Sequence, residues 1–362
     1  MYRMDAGHTG CYDTVSGGII PQGNLKWKYK TNGTALSSPA IADNIIYLQS
    51  SGDNLYAIDV ASGALIWNYT TGKSSVLSMS PSTPSSPAVV NGAVYFGSTD
   101  NNIYALDAYT GELKWNYSTS DTVYSSPVIV GGVLYICGGR EGYIYALGIK
   151  SGSLLWKYQI NKLYPDAIGA ACSPVYLNKT VYAGSIDGTI YALNSSDGSV
   201  IWTFFEEGQN GNVLSADGDT IYFGSQNSHW TSNTTSFVYA LNAINGSLKW
   251  KKSFKEWIDS SPVISKDLVY ISCKDSTISG LNKGNGSVIW EKSSIYARNL
   301  ALADDILYSG NRDGKLYAFN ATDGNSIRIH DTGNKYSLTN NPVIYNGSVF
   351  FVVDGGYLCA FD

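Results

Sequence analysis

The stretch "LYAIDVASGALIW", residues 55–67, reads as a strand, a tight turn and a second strand, and its recurrence decides the fold. Aligned on Ala, Gly and Trp, it returns with fixed spacing as Ala57–Gly63–Trp67, Ala105–Gly111–Trp115, Ala146–Gly152–Trp156, Ala192–Gly198–Trp202 and Ala240–Gly246–Trp250. Gly280–Gly286–Trp290 changes only the first position, and Ala318–Gly324–Arg328 loses the indole. The eighth copy is split between the chain ends. "LCAFD" at 358–362 supplies its front half and "GNLKW" at 23–27, with Trp27, its back half.

Two further short segments precede each copy. "SSPAVV" at 85–90 and "AVYFGS" at 93–98 lead into "IYALD" at 103–107 and "LKWNY" at 113–117. Four strands joined by turns such as Asn91-Gly92 and Tyr109-Thr110-Gly111 make an antiparallel meander. Equivalent alanines lie 38 to 48 residues apart, the period of propeller blades. The third strand is apolar on both faces, as it must be when each sheet lies between two others. The small Ala leaves space for a large indole, and the Gly permits the positive φ of the turn. The pattern predicts an all-β chain, one domain over 1–362, folded as an eight-bladed β-propeller of four-stranded antiparallel blades. Residues 1–24 form an N-terminal strap, and 25–29 supply a closing strand against 357–361. Such closure removes the sheet edges that an open stack would expose.

Composition agrees. Only 15% of residues are charged, and Ser, Thr, Asn, Gly and 28 tyrosines take their place, a mixture suited to strands and turns. A net charge of −5 and a pI near 5.2 give no basic balance, so no nucleic-acid partner is expected. No apolar run approaches the roughly 20 residues of a membrane span. The five cysteines, Cys11, Cys137, Cys172, Cys273 and Cys359, form no CxxC pair, and buried thiols are expected rather than a metal site.

The spacing Ala57-Ile-Asp59-Val-Ala-Ser62-Gly63-Ala-Leu-Ile-Trp67 resembles the tryptophan-docking motif of quinoprotein-type, pyrroloquinoline quinone repeat, β-propellers. "YRMDAGHTG" at 2–10 is similar to their N-terminal phrase. On this resemblance Trp27, Trp67, Trp115, Trp156, Trp202, Trp250 and Trp290 are structural docking residues. The family includes quinone-dependent dehydrogenases, a lipoprotein scaffold of outer-membrane barrel assembly, and surface proteins of other kinds. The dehydrogenases carry an adjacent Cys-Cys pair and longer loops around quinone and calcium. This chain has no such pair, so the resemblance points more to the scaffold, with no cofactor, metal or catalytic residue expected. The alternative is a quinoprotein-like oxidoreductase binding pyrroloquinoline quinone.

His8, His229 and His330 fall far apart, and pairs such as Asp187-Gly188 and Asp313-Gly314 are accounted for by turns. Ten N-x-[ST] sequons begin at Asn32, Asn68, Asn116, Asn178, Asn194, Asn233, Asn245, Asn285, Asn320 and Asn346. That is about twice what composition alone would give. Turn composition competes with glycosylation as the account; Asn32 and Asn233 are the glycan sites expected to be most exposed. The reading that follows is an exported protein, extracellular, cell-surface or periplasmic, with any signal or anchor upstream of these residues.

In four-stranded blades, turns between strands one and two and between three and four share one face of the ring. The other connections share the opposite face. Minimal turns fall on the first: "NG" at 91–92, "GG" at 131–132, "DG" at 197–198. Long insertions fall on the second, at 71–84, 159–171, 206–212, 226–237 and 251–259. They carry the two tryptophans outside the motif, Trp230 and Trp257. Tyr164, Trp230, Trp257, Tyr296, Arg298 and Tyr336 are therefore the candidate binding face, since long loops on a rigid scaffold usually carry function. Packing of Trp230 and Trp257 against their own loops is the competing account. The expectation is a monomeric, non-enzymatic scaffold whose partner is a protein or a glycan.

Overall fold

A computed structural model describes residues 11–12, 24–34, 36–72, 84–139, 142–160, 173–185, 187–205, 209–211, 214–227, 235–258, 260–293, 297–311, 314–331, 340–353 and 355–362. They form eight antiparallel sheets in a ring, an all-β propeller. Blade one comprises Ala40–Ala42, Ile45–Ser50, Asn54–Asp59 and Leu65–Thr70 in sequence order. Blades two to seven repeat that order from Ala88, Val128, Val175, Ser215, Val263 and Ala297. Blade eight takes Val343–Tyr345, Ser348–Val353 and Tyr357–Phe361 from the C-terminus and its outermost strand, Leu25–Lys30, from the N-terminus. The closing register pairs Leu25 with Phe361, Trp27 with Ala360 and Lys30 with Tyr357, one residue longer than the pattern predicts.

Burial explains why the third strand is so uniform. Asn54–Asp59 is buried at five of its six positions, and the second strand Ile45–Ser50 at all six. The outer strands alternate between exposed and half-buried residues. The first strands are shorter than "SSPAVV" suggests. In blade two only Ala88–Val90 pairs, because Pro87 has no N–H to give. The serines before it substitute for the ladder: Ser85 Oγ accepts the Gly97 N–H at 3.1 Å, as Ser37 does for Gln49 and Ser125 for Cys137.

Each indole spans two blades. Trp67 pairs across from Ala57 in its own sheet, with a bulge at Ile66, and donates its Nε1–H to Ala108 O of blade two at 3.0 Å. The ring lies against Gly111, whose φ is +74°. The arrangement recurs at Trp27 on Gly63, Trp115 on Gly152, Trp156 on Gly198, Trp202 on Gly246, Trp250 on Gly286 and Trp290 on Gly324. The motif glycine thus serves the turn and also clears space for the preceding blade's indole. Blade eight takes its third and fourth strands from separate parts of the chain, and the Asp362 N–H bonds Asn24 O at 3.1 Å where they meet. Nothing in the described residues explains Arg328 in place of the indole.

Cys137, Cys273 and Cys359 are buried and lie in three different blades. Of the N-terminal strap, the described part is Cys11–Tyr12, which runs parallel to Leu302 and Ala303 on the innermost strand of blade seven. No helix among the described residues is long and apolar enough to cross a membrane.

Candidate functional site

The ring presents two unlike faces. On the short-turn face, the backbone of each strand-three-to-four turn bonds the strand-one-to-two turn of its own blade: Val60 N–H to Asn44 O, Ala108 N–H to Gly92 O and Ser195 N–H to Lys179 O, each near 3.0 Å. Tight left-handed pairs such as Asn91-Gly92, at φ +52° and +67°, keep these connections minimal. Turn carboxylates are tied down here. Asp107 accepts the N–H groups of Tyr109 and Thr110 and the Lys114 ammonium at 2.9 Å, and Lys114 first, then the backbone donors, lower its pKa to about 2.

The opposite face carries the long connections. Blade five projects there: its second and third strands, Thr220–Asn227 and Ser236–Asn242, are longer than their counterparts in blades four and six. Gln209–Gly211 adds a further strand to the projecting part, pairing with Ser225 to Asn227. Trp257 follows in the next connection and is half-buried. Its carbonyl accepts the Lys274 N–H at 2.7 Å, the Lys274 ammonium lies 4.3 Å from its ring centroid, and the bridge between Ile258 and Cys273 pins the segment. Its indole N–H is buried and meets no acceptor among the described residues. Packing and exposure therefore coexist at Trp257, which covers its own connection and still presents part of the ring to solvent.

The first two blades meet on this face through Asp100, which accepts the Gly72 N–H at 2.7 Å and the Tyr104 hydroxyl at 2.6 Å. Burial first, then that carboxylate, pushes the Tyr104 phenol well above the usual range. Such bonds fix the turns rather than offering a reactive group.

Of the other sequence-derived face residues, Tyr164, Trp230, Tyr296 and Tyr336 lie outside the described residues, as does Asn233. Arg298 lies on the innermost strand of blade seven, Ala297–Ala303. Asn32 is exposed, with its N–H given to the Tyr56 hydroxyl at 2.9 Å. Two recurring sets escaped the sequence reading. Second-strand tyrosines share the indole's acceptor: Tyr47 and Trp67 both donate to Ala108 O, and Tyr182 and Trp202 both donate to Ala243 O. Inner serines link successive blades, Ser38 N–H to Ser86 Oγ, Ser86 N–H to Ser126 Oγ and Ser126 N–H to Ser173 Oγ, at 2.9 to 3.1 Å. The repeated "SSP" and the mid-strand Tyr are the signals that would have found them.

A closed ring of eight four-stranded blades, with long connections gathered on one side, defines a repeat-built β-propeller. The chain belongs to the family described as outer membrane protein assembly factor BamB, whose matches cover residues 12–204, 122–235 and 206–362. A curated relative, the outer membrane protein assembly factor BamB of Francisella tularensis, is 24% identical over 105 residues, 29% of this chain and 23% of the relative. The matched segment thus spans about a quarter of that relative's length. Among solved structures, BamB from Moraxella catarrhalis superposes with a TM-score of 0.74 at 17% identity, over 94% of this chain and 99% of that one. Quinohemoprotein alcohol dehydrogenase from Comamonas testosteroni gives a TM-score of 0.79 at 16% identity, over 99% and 79%. At these identities the likenesses show the fold alone.

Among the described residues nothing matches the quinone site that the resemblance implies for the dehydrogenases. The three described thiols are buried and separated by whole blades, and the chain contains no adjacent Cys-Cys pair. Among the described residues no three His, Cys, Asp or Glu side chains gather as a metal site.

Proposed function

We propose that this chain is a non-enzymatic propeller, exported or at the cell surface, that holds a protein or glycan partner on its long-connection face. The observation that carries this reading is the division of the ring. One face is sewn shut by short turns, and the other bears the projecting strands of blade five beside the half-exposed Trp257. Rigid scaffolds with variable loops on one side are built for recognition, and aromatic anchors are the residue type enriched where binding energy concentrates. The family description, outer membrane protein assembly, names a role at the cell envelope and among other proteins, which supports the same reading. Tyr164, Trp230, Tyr296, Arg298 and Tyr336 complete the proposed face, and the seven motif indoles are its structural support.

The test is site-specific photo-crosslinking in intact source cells, with the probe placed at position 257 or at position 91. Discrete adducts from position 257 and none from position 91 are expected. Adducts confined to position 91 would overturn the choice of face. For the partner so captured, Trp257→Ala is expected to weaken binding by at least ~1 kcal/mol, while Asn91→Ala leaves it unchanged.

A further inference from the structure

The sequons sort by position in the ring. Asn178 and Asn346 occupy turns between first and second strands, Asn245 and Asn285 turns between third and fourth. Asn194 and Asn320 end third strands on that same side, and Asn68 and Asn116 lie on the outer strands of blades one and two. Asn32 alone among the described sequons sits toward the long-connection side. Asn194 and Asn320 are half-buried, and the other described sequons are exposed.

Turn composition explains an Asn in a turn, but it does not explain Asn68 and Asn116. These lie one residue past the outer-strand Trp, on a free sheet edge. Blades eight, three, five and six place Lys28, Lys157, Lys251 and Glu291 at that position, and blades four and seven place Thr203 and Ile329. Charge on an edge strand discourages another chain from pairing there. Blades one and two carry instead the uncharged sequons Asn68-Tyr-Thr and Asn116-Tyr-Ser. A sugar there would block the edge as charge does in four of the other six blades. In the turns, Asn245 Oδ1 accepts the Ser247 N–H at 3.0 Å and Asn285 Oδ1 accepts the Ser287 N–H at 2.9 Å. Each of these two sequons thus ties up its amide oxygen, and Nδ2, the atom a sugar takes, has no bond among the described residues to lose. Asn116 would give up one exposed contact, its Nδ2 to Asn102 Oδ1 at 3.3 Å.

We propose that the short-turn face and rim carry an N-glycan coat, attached at Asn68, Asn116, Asn178, Asn245, Asn285 and Asn346, with Asn194 and Asn320 bare. The donor class is an oligosaccharide on a lipid diphosphate. Transfer joins Asn Nδ2 to the anomeric carbon, breaks that carbon's bond to the phosphate oxygen, and releases the lipid diphosphate and one amide proton. The coat leaves the long-connection face largely open to a partner and so rests on the export proposed above.

Two measurements separate the ideas. Glycopeptide mass spectrometry of protein from fractionated source cells is expected to show sugar on the six named asparagines and none on Asn194 or Asn320. Exported but sugar-free protein would overturn the coat and leave the binding face standing; a cytosolic location would overturn export. Secretion of the chain from a glycosylating eukaryotic host then decides the acceptor assignment itself. Folded, secreted protein that is unmodified at the six, or occupied at Asn194 and Asn320 as fully as at Asn245, would sink it.

Discussion

A Cβ placed on Gly198 would lie 2.7 Å from Trp156 Cε3, on a backbone held at φ +74°. The position thus forbids a side chain twice, by conformation and by contact. Gly198→Ala is expected to cost about 2–4 kcal/mol, the left-handed penalty plus overpacking. Gly131→Ala is expected to cost only the first, since nothing lies within 4 Å of its Cβ site. Denaturant midpoints of the pair separate the two contributions. The turn acid makes a second prediction. Asp107 sits where other blades carry Asn194, Asn242, Asn282 and Asn320, all accepting a turn N–H at 2.8 to 2.9 Å. Its pKa in the fold, about 2, is below the unfolded carboxylate value of about 3.9. The stability it adds is complete above about pH 4 and is lost as pH falls toward 2. Asp107→Asn should keep the turn and remove that portion of the acid sensitivity, read as a smaller drop in melting temperature between pH 7 and pH 3. The Lys114 pair is exposed and contributes little by itself.

Within a blade, the second strand holds a tyrosine whose phenol lies under the indole of the fourth strand. The Tyr47–Trp67, Tyr95–Trp115, Tyr135–Trp156 and Tyr182–Trp202 rings sit 5.7 to 6.0 Å apart, and blade eight keeps the contact with Phe350 against Trp27. Tyr182→Phe should therefore cost only about 0.5–1.5 kcal/mol, because Ala243 O keeps the Trp202 Nε1–H at 2.9 Å. Burial raises these phenols together, Tyr222 and Tyr308 to about 12. A raised pKa means the fold favours the protonated ring. Its contribution is whole below pH 10 and disappears as pH rises through 12. A urea midpoint that holds from pH 8 to pH 9.5 and then collapses by pH 12 is the expected profile. A flat profile would show these rings ionising freely in the fold.

At the scale of the ring, closure rests on one strand. Leu25–Lys30 supplies the ladder to Tyr357–Phe361, the Trp27 bond to Val60 O at 3.0 Å, and the neighbouring Thr31 bonds to Gly356 O. Deleting residues 1–29 should cost at least ~3 kcal/mol, the value of one large buried aromatic, and leave Tyr357–Phe361 as an open edge that pairs between molecules. Sedimentation of the truncated chain is expected to show self-association together with a lowered melting temperature. A monomer that melts as the full chain does would refute the closure. The same construction joins the start and end of the chain in one sheet, so blades one and seven both pack on blade eight.

The repeat phrase determined the class of fold, the number of blades and the split eighth copy, because strand periodicity and turn glycines act over a few residues and are written locally. The division of connections between two faces followed from strand order alone. What the sequence could not reveal was which blade each residue serves. The glycine reads as a turn residue, yet it also yields space to an indole some forty residues away in sequence. The serines read as the start of a strand, yet they replace its hydrogen bonds and link successive blades. Trp257 likewise became half anchor and half exposed surface only once Lys274, Ile258 and Cys273 were brought to it. The glycine–indole and serine contacts join successive blades, so only the packing of each blade against its neighbours decides them.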